Sequence, residues 1–360
     1  MTLTRIARTL GLSVTTVSRA LGGFDDVAAQ TRERVMAEAA RIDYRPNRAA
    51  RQLRSGQSGA IGLVLPTTAG RFDDPFFLRL LSAIGPRLTD AGLDLLVTAA
   101  SPGEDELRAY RHMAQARRVD GFLVARMRRK DDRVSYLLDR GVPFVAHGRT
   151  EETRAYAHLD IDGAAACRAA TERLIRFGHR RIAMINAAEI YMFAQIRQAG
   201  WQAALRDAGL PPGPLVHAEP NEENGFRLAL SLLGAPQAPT ALLCATDRLA
   251  VGALRAVASL KLQAGRDVSV IGYDNLPAAT YTDPPLTTIE QPIERAGARM
   301  VEMMRALLDG ASPAGLAEIW QARLIPRSSD GPAPDNTADT GGPQHNSSGG
   351  HHDLEAPPGG

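Results

Sequence analysis

Leu10-Gly11-Leu12-Ser13-Val14-Thr15-Thr16-Val17-Ser18-Arg19-Ala20-Leu21 is the stretch of this 360-residue chain from which its organisation can be worked out. Gly11 is suited to end one helix, and the Ser13 hydroxyl is placed to accept a hydrogen bond from the amide of Thr15 or Thr16 at the start of the next. Around this turn Ile6, Leu10, Val17, Leu21, Val35, Ala39 and Ile42 recur at helical spacings, and the first sixty residues carry no strand signal. Two helices joined by a turn of about three residues form a helix-turn-helix. The second, from about Val14 to Leu21, turns Val17 and Leu21 inward and leaves Val14, Thr15, Thr16, Ser18 and Arg19 outside. Short hydroxyl and methyl groups let a helix approach a major groove closely, and one Arg can fork onto a guanine. On these eight residues alone, an ordinary helical bundle with surface Ser and Thr fits equally well.

Charge bears on the choice without deciding it, because a charge run is usually just a solvated face. Residues 1–60 hold ten Arg, no Lys and five Asp or Glu, a net +5, whereas the whole chain is +2, so the rest carries −3. A cationic front end points to a polyanion partner. Hydrophobic residues make up 44% of the chain and charged residues 23%, which excludes a disordered or fibrous protein. No apolar run approaches the roughly 18 residues of a membrane span, so no membrane partner is expected. The start, Met1-Thr2-Leu3-Thr4-Arg5, lacks the pattern of a secretory signal, and a cytoplasmic, nucleoid-associated location is expected. Cys167 and Cys244, 77 residues apart in apolar stretches, read as buried thiols.

Beyond residue 60, short apolar runs alternate with amphipathic stretches. The runs are Ile61–Leu65, Leu93–Thr98, Gly121–Val124, Phe144–Ala146, Ile182–Ile185, Ala241–Ala245 and Val268–Ile271. Between them lie helix-period segments such as Phe77–Ala91, Gly163–Phe177, Ile196–Ala208 and Asp247–Ser259. This alternation predicts parallel sheets covered by helices on both faces. About 270 residues exceed what one sheet carries, so two doubly wound halves with a cleft between them are expected, with ligand bound beyond the carboxyl ends of the strands. From Gly331 to Gly360, twelve of thirty residues are Gly or Pro and Leu354 is the only large aliphatic. Residues 328–360 are therefore expected to form a disordered tail.

Leu3-Thr4-Arg5-Ile6-Ala7, Gly11-Leu12-Ser13, Thr16-Val17-Ser18-Arg19-Ala20-Leu21, Thr31-Arg32-Glu33-Arg34-Val35, Tyr44-Arg45-Pro46-Asn47 and Ala49-Ala50-Arg51-Gln52-Leu53 resemble the headpiece of the LacI/GalR family of bacterial transcriptional regulators. Phe177-Gly178-His179-Arg180-Arg181-Ile182-Ala183, Ala245-Thr246-Asp247, Val270-Ile271-Gly272-Tyr273-Asp274-Asn275 and Pro285-Leu286-Thr287-Thr288-Ile289-Glu290-Gln291-Pro292 resemble the family's core signatures in the same order. The resemblance covers residues 2–327. It implies an all-α helix-turn-helix headpiece (1–45), a hinge helix and linker (46–59), and a bilobal α/β core like periplasmic binding proteins (60–327). One lobe of that core is expected at 60–159 and 292–319 and the other at 160–291 and 320–327, with crossovers near Asp160, Gln291 and Trp320. The implied function is a repressor, working as a homodimer on a near-palindromic double-stranded operator and controlled by a small molecule, a sugar or sugar derivative.

The resemblance also carries residues. Val14 and Thr15 stand where the family selects its operator, and Thr16, Ser18, Arg19 and Tyr44 stand at other DNA-contacting positions. Asn47, Arg48, Ala50, Arg51, Leu53 and Arg54 match the hinge helix, with Leu53 as the leucine inserted into the minor groove; flanking arginines suit a wedge that unstacks a base step. A rival reading makes Leu53 the last core residue of the headpiece, but Ser55-Gly56-Gln57-Ser58-Gly59 follows as a flexible linker. For the effector cleft the resemblance suggests Phe76, Phe77, His147, Arg149, Tyr191, Phe193, Arg197, Thr246, Asp274 and Gln291. Chemically, Arg197 can donate a fork to hydroxyls, Asp274 can accept from them, and an aromatic ring can pack on a sugar's CH face. Asp247 is read as a cap for the helix that follows it.

Four positions depart from the family pattern: Arg5 where an acid is usual, Ala28 where a capping Ser is usual, His147 where Asp is common, and Pro220-Asn221 where an aromatic is common. The last two imply a ligand outside the best-known hexoses. No heptad-bearing helix follows residue 327, so a dimer is expected and not a tetramer. A transporter's exported solute-binding protein would share the bilobal core but has no use for residues 1–59. A doubly wound enzyme is disfavoured because the chain has no G-x-G-x-x-G, Walker A loop or G-x-S-x-G elbow, and its eight His lack metal-ligand spacing. Asp73-Asp74 and Asp131-Asp132 read as loop or cap carboxylates. No catalytic residue, metal or cofactor is expected.

Overall fold

The computed structural model describes residues 3–22, 24–44, 57–67 and 74–334. Three helices, α1 (Leu3–Leu10), α2 (Val14–Leu21) and α3 (Ala29–Arg41), enclose a small core of Ile6, Ala7, Val17, Ala20, Val27, Val35, Ala39 and Ile42. Gly11 takes φ +65 after α1, a conformation that L side chains rarely adopt. The Ser13 oxygen accepts the Thr16 amide at 3.0 Å and caps α2. Ala28 gives α3 no side-chain cap. The hinge residues Asn47, Arg48, Ala50, Arg51, Leu53 and Arg54 lie outside the described residues.

The core holds two six-stranded sheets. The first is ordered β11-β5-β4-β3-β1-β2 and contains β1 (Ala60–Pro66), β2 (Asp94–Ala100), β3 (Gly121–Val124), β4 (Phe144–His147), β5 (Ala157–Ile161) and β11 (Ala317–Trp320). The second is ordered β12-β10-β9-β8-β6-β7 and contains β6 (Ile182–Ala187), β7 (Leu215–Ala218), β8 (Ala241–Cys244), β9 (Ser269–Tyr273), β10 (Thr287–Glu290) and β12 (Arg323–Ile325). All pairs run parallel except β10 with β12. In β1, Ile61, Leu63 and Leu65 enter one hydrophobic cluster while Val64 enters another on the opposite face, which is why the strand reads as an unbroken apolar run.

The first sheet is flanked by α4 (Pro75–Asp90), α5 (Glu104–Gln115), α6 (Asp132–Asp139) and α11 (Ile293–Leu308). The second carries α7 (Gly163–Arg176), α8 (Met192–Asp207), α9 (Glu222–Leu233) and α10 (Asp247–Ser259). Two helix pairs in this lobe approach closely through glycines: a Cβ built on Gly200 would lie 2.0 Å from the Ala164 oxygen, and one on Gly252 2.0 Å from the Glu222 oxygen. The chain passes between sheets three times, from Ile161 to Gly163, from Glu290 to Ile293 and from Trp320 to Arg323.

The expected tail begins too early at residue 328. Ser329 and Asp330 are buried. The Ser329 hydroxyl donates to the Val270 oxygen at 2.6 Å and accepts the Thr287 amide at 2.8 Å, while Asp330 accepts from Thr287 Oγ1 and pairs with Arg173, both at 2.5 Å. His179 Nε2 lies 3.1 Å from the Gly331 oxygen. Polar bonds hold this segment where apolar burial is lacking, so composition alone misjudged it.

Candidate effector cleft and DNA-reading face

On α2 the inward side is Val17 and Ala20, both buried, and the outward side carries exposed Val14 and Thr15 with partly covered Thr16, Ser18 and Arg19. Thr16 Oγ1 lies 2.8 Å from Ser13 Oγ, so this hydroxyl takes part in the helix cap. Tyr44 packs half-buried against the headpiece core. The residues on this face have mostly short, hydroxylated side chains, a surface that fits a groove.

The second site lies between the sheets, beyond the carboxyl ends of β1, β3, β4, β6, β8 and β9. Asp74, Phe76, Arg126, Met127, His147, Arg149, Asp160, Phe193, Arg197, Pro220, Thr246, Arg248, Tyr273, Asp274 and Gln291 are among the residues around a cleft whose empty space, its solvent-open mouth included, is about 870 Å³. Eight of the ten residues proposed from sequence line it: Phe76, His147, Arg149, Phe193, Arg197, Thr246, Asp274 and Gln291. Phe77 does not; it is buried in the first lobe's core, because consecutive residues on α4 are turned about 100° from one another. Tyr191 does not either. It lies behind Phe193, stacked at 5.5 Å between ring centroids, with its hydroxyl 3.4 Å from Glu219 Oε2.

Arg197 occupies the middle. Its guanidinium sits 3.4 Å from the Tyr273 ring centroid and 4.7 Å from that of Phe193, donates to the Ala245 carbonyl, and comes within 3.9 Å of Asp274 Oδ1. Asp274 accepts from Gln291 Nε2 at 2.6 Å and has φ 116, a strained value for a residue with a Cβ. Burial pushes the Asp274 carboxyl up to about 7 against the opposing pull of Arg197, and neighbouring Asp247 adds to the rise. Burial and Arg197 push His147 down to about 4, which leaves its ring neutral. Phe76 packs 5.3 Å from that ring.

Charges in the cleft come in pairs: Arg126 with Asp74, Arg149 with Asp160 at 2.8 Å, Arg197 with Asp274, and Arg248 with Glu222 at 2.8 Å. Among the residues around the cleft, His147 Nε2, Arg197 Nε and the Tyr273 hydroxyl are buried without a hydrogen-bond partner, beside Arg149 Nε and Asp160 Oδ2, which face each other as an ion pair. Three polar atoms without partners beside a cleft are what a hydroxylated ligand would satisfy. Asp247 plays another part than the cap read from sequence. Thr246 caps α10 by accepting the Leu249 amide, while Asp247 is buried and accepts from the Leu276 amide and from Thr288, tying the loop after β9 to β10.

Sequence reasoning missed Asp74, Arg126, Met127, Asp160, Arg248 and Tyr273 as lining residues. Tyr273, Arg126 and Asp160 were within reach of the rule that ligands bind beyond the carboxyl ends of parallel strands, since they sit at or next to the ends of β9, β3 and β5. Asp74, read as a loop or cap carboxylate, does cap α4, accepting the Phe76 amide at 3.0 Å; what the sequence reading missed is that it also pairs with Arg126 in the cleft.

Residues 2–47 match the family model for bacterial regulatory proteins of the lacI family, and residues 171–329 match that of the periplasmic binding protein-like domain. The HTH-type transcriptional regulator AglR of Rhizobium meliloti (strain 1021) is 37% identical over 341 residues, 93% of this chain and 96% of that protein. The chain belongs to the LacI family. Among solved LacI-family structures, the Lac repressor dimer bound to operator and the anti-inducer ONPF superposes with TM-score 0.79 at 27% identity, over 92% of this chain and 99% of that one. The CelR–cellobiose complex superposes with TM-score 0.71 at 28% identity, over 91% and 99%. This LacI-family chain is therefore a transcriptional regulator with a DNA-binding domain and a ligand-binding, periplasmic-binding-protein-like domain.

Proposed function

We propose that the chain is a cytoplasmic repressor whose affinity for a near-palindromic operator is set by a neutral sugar or sugar derivative in the interlobe cleft. The observation that carries the ligand class is the pairing of each cleft arginine with a carboxylate, beside buried polar atoms that lack partners. An anionic ligand would call for unpaired cations; a polyol needs donors, acceptors and a ring to pack against, which Arg197, Asp274 and Phe193 or Phe76 supply. The Lac repressor dimer on operator and the cellobiose complex of CelR support the same reading by likeness.

In this proposal two subunits place α2 in successive major grooves about 34–36 Å apart. Ligand changes the angle between the lobes at the three crossovers and so the approach of the segment 46–59 to DNA. It acts only through differential affinity for the two states, a coupling of about 1–3 kcal/mol. A thermal-shift panel of neutral sugars, polyols, sugar acids and sugar phosphates, followed by operator release for each hit, tests it. The expected result is stabilisation by a neutral member and a fivefold or greater change in operator affinity. Stabilisation by acids or phosphates alone would overturn the ligand class, and unchanged operator affinity with every bound ligand would overturn the switch. Arg197→Ala should abolish the response while operator binding without ligand persists.

A further inference from the structure

Arg19, the one cationic residue on the outward side of α2, is held in place. Its Nε donates to Asp26 Oδ1 at 3.1 Å and its Nη2 lies 2.5 Å from Asp26 Oδ2, so the carboxylate grips one edge of the guanidinium. The Phe24 ring lies beneath, 4.8 Å from the guanidinium carbon to the centroid. Phe24 is itself nearly half exposed, a large ring at the surface whose packing partner is this cation. The loop that carries both residues is fixed from α3, where Arg32 Nη2 donates to the Phe24 carbonyl at 2.7 Å. Gly22 leaves room for the ring, since a Cβ there would lie 2.8 Å from Phe24 Cε2.

A guanidinium has two edges that can form paired hydrogen bonds. Asp26 takes the Nε–Nη2 edge, which leaves the terminal Nη1–Nη2 edge of this partly exposed side chain without a partner among the described residues. A guanine offers N7 and O6 to that edge. An acidic residue beside a DNA-reading helix costs affinity through phosphate repulsion, so holding it there is worthwhile only if it improves discrimination. We propose that Asp26 and Phe24 are positioning residues that buttress Arg19 from the side and from below, so that it reads one guanine of each half-site end-on. This rests on the operator-binding function proposed above.

The test uses the full-length chain and a duplex selected by the wild-type protein from a randomised pool of roughly 20 base pairs, enough for two half-sites. Affinity for the selected duplex is compared with that for a scrambled one, at fixed salt. Arg19→Ala identifies the base pair at which discrimination is lost. Asp26→Ala should raise scrambled-duplex affinity slightly, because a negative charge is gone, and lower the selected-to-scrambled ratio about threefold to tenfold, with the loss at that same base pair. Phe24→Ala and Gly22→Ala, which change no charge, should lower the ratio at the same position. In the Arg19→Ala background, Asp26→Ala should change the ratio no further. A ratio that rises on Asp26→Ala would show that the carboxylate sequesters Arg19, and a ratio that stays constant would show that it only repels phosphates; either overturns the buttress. If the wild-type chain itself selects no duplex, the operator-binding reading fails first, and that outcome is distinct from these.

Discussion

Asp274 makes the cleft sensitive to pH. Its carboxyl is raised to about 7, so between about pH 4 and 7 the folded chain holds a proton that the unfolded chain has released, and this group withdraws stability as pH rises across that window. Ligand binding runs the other way, because a hydroxyl donates best to the ionised carboxylate. Effector affinity measured by calorimetry should rise between pH 6 and 8, and Asp274→Asn should flatten the profile. His147, lowered to about 4, should leave the midpoint unmoved when replaced by Gln. A midpoint that follows His147 would refute this assignment. At this scale the sequence was informative where a residue type had one chemistry to offer, as with Arg197 and Asp274. It was uninformative for Phe76-Phe77, two identical rings a third of a helical turn apart, of which one meets ligand space and the other the core.

Helix ends and helix contacts carry the next predictions. Ala28 leaves the first amides of α3 without a side-chain acceptor, so Ala28→Ser should stabilise that end by about 1 kcal/mol, read as slower amide exchange in its first turn. Unchanged exchange would mean that the loop before α3 already satisfies those amides. Gly200 abuts the Ala164 carbonyl so closely that Gly200→Ala must part α7 from α8, with an expected loss of about 1–3 kcal/mol or more in thermal denaturation. Element by element, the strands that are buried on both faces and built from aliphatics, β1, β3, β4, β6, β8 and β9, stood out in the sequence. The strands β5 and β10 did not, because His158, Asp160, Thr287 and Thr288 interrupt their apolar character and find hydrogen-bond partners inside. Nor did the segment at Ser329–Gly331, for the same reason.

The two lobes are joined by more than their crossovers. Arg79 on α4 donates to the Asp274 carbonyl of the other lobe at 2.7 Å and to Glu294 of α11 at 2.9 Å. On the opposite side of the cleft the Met192 amide donates to the Met127 carbonyl at 3.0 Å and the Arg129 amide to that of Ile190 at 2.9 Å. Arg79→Ala should weaken effector binding by about fivefold, the worth of roughly 1 kcal/mol of hydrogen bonding, while operator affinity without ligand is retained. Full effector affinity in that variant would show that the arginine does not hold the lobes in their ligand-binding arrangement. The bilobal plan was legible because its repeating strand–helix alternation ran past what one sheet can hold; these cross-lobe ties were not, since they use backbone carbonyls that any sequence supplies.

Because the chain returns to its first lobe only at Ile293, a ribosome making this protein releases the DNA-reading helices early and the last strand of the first sheet, Ala317–Trp320, near the end. Neither half of the sensor can be finished before almost everything has been synthesised. A transcript cut short in the region of α11 would therefore encode the DNA-reading helices without a completed sensor to control them.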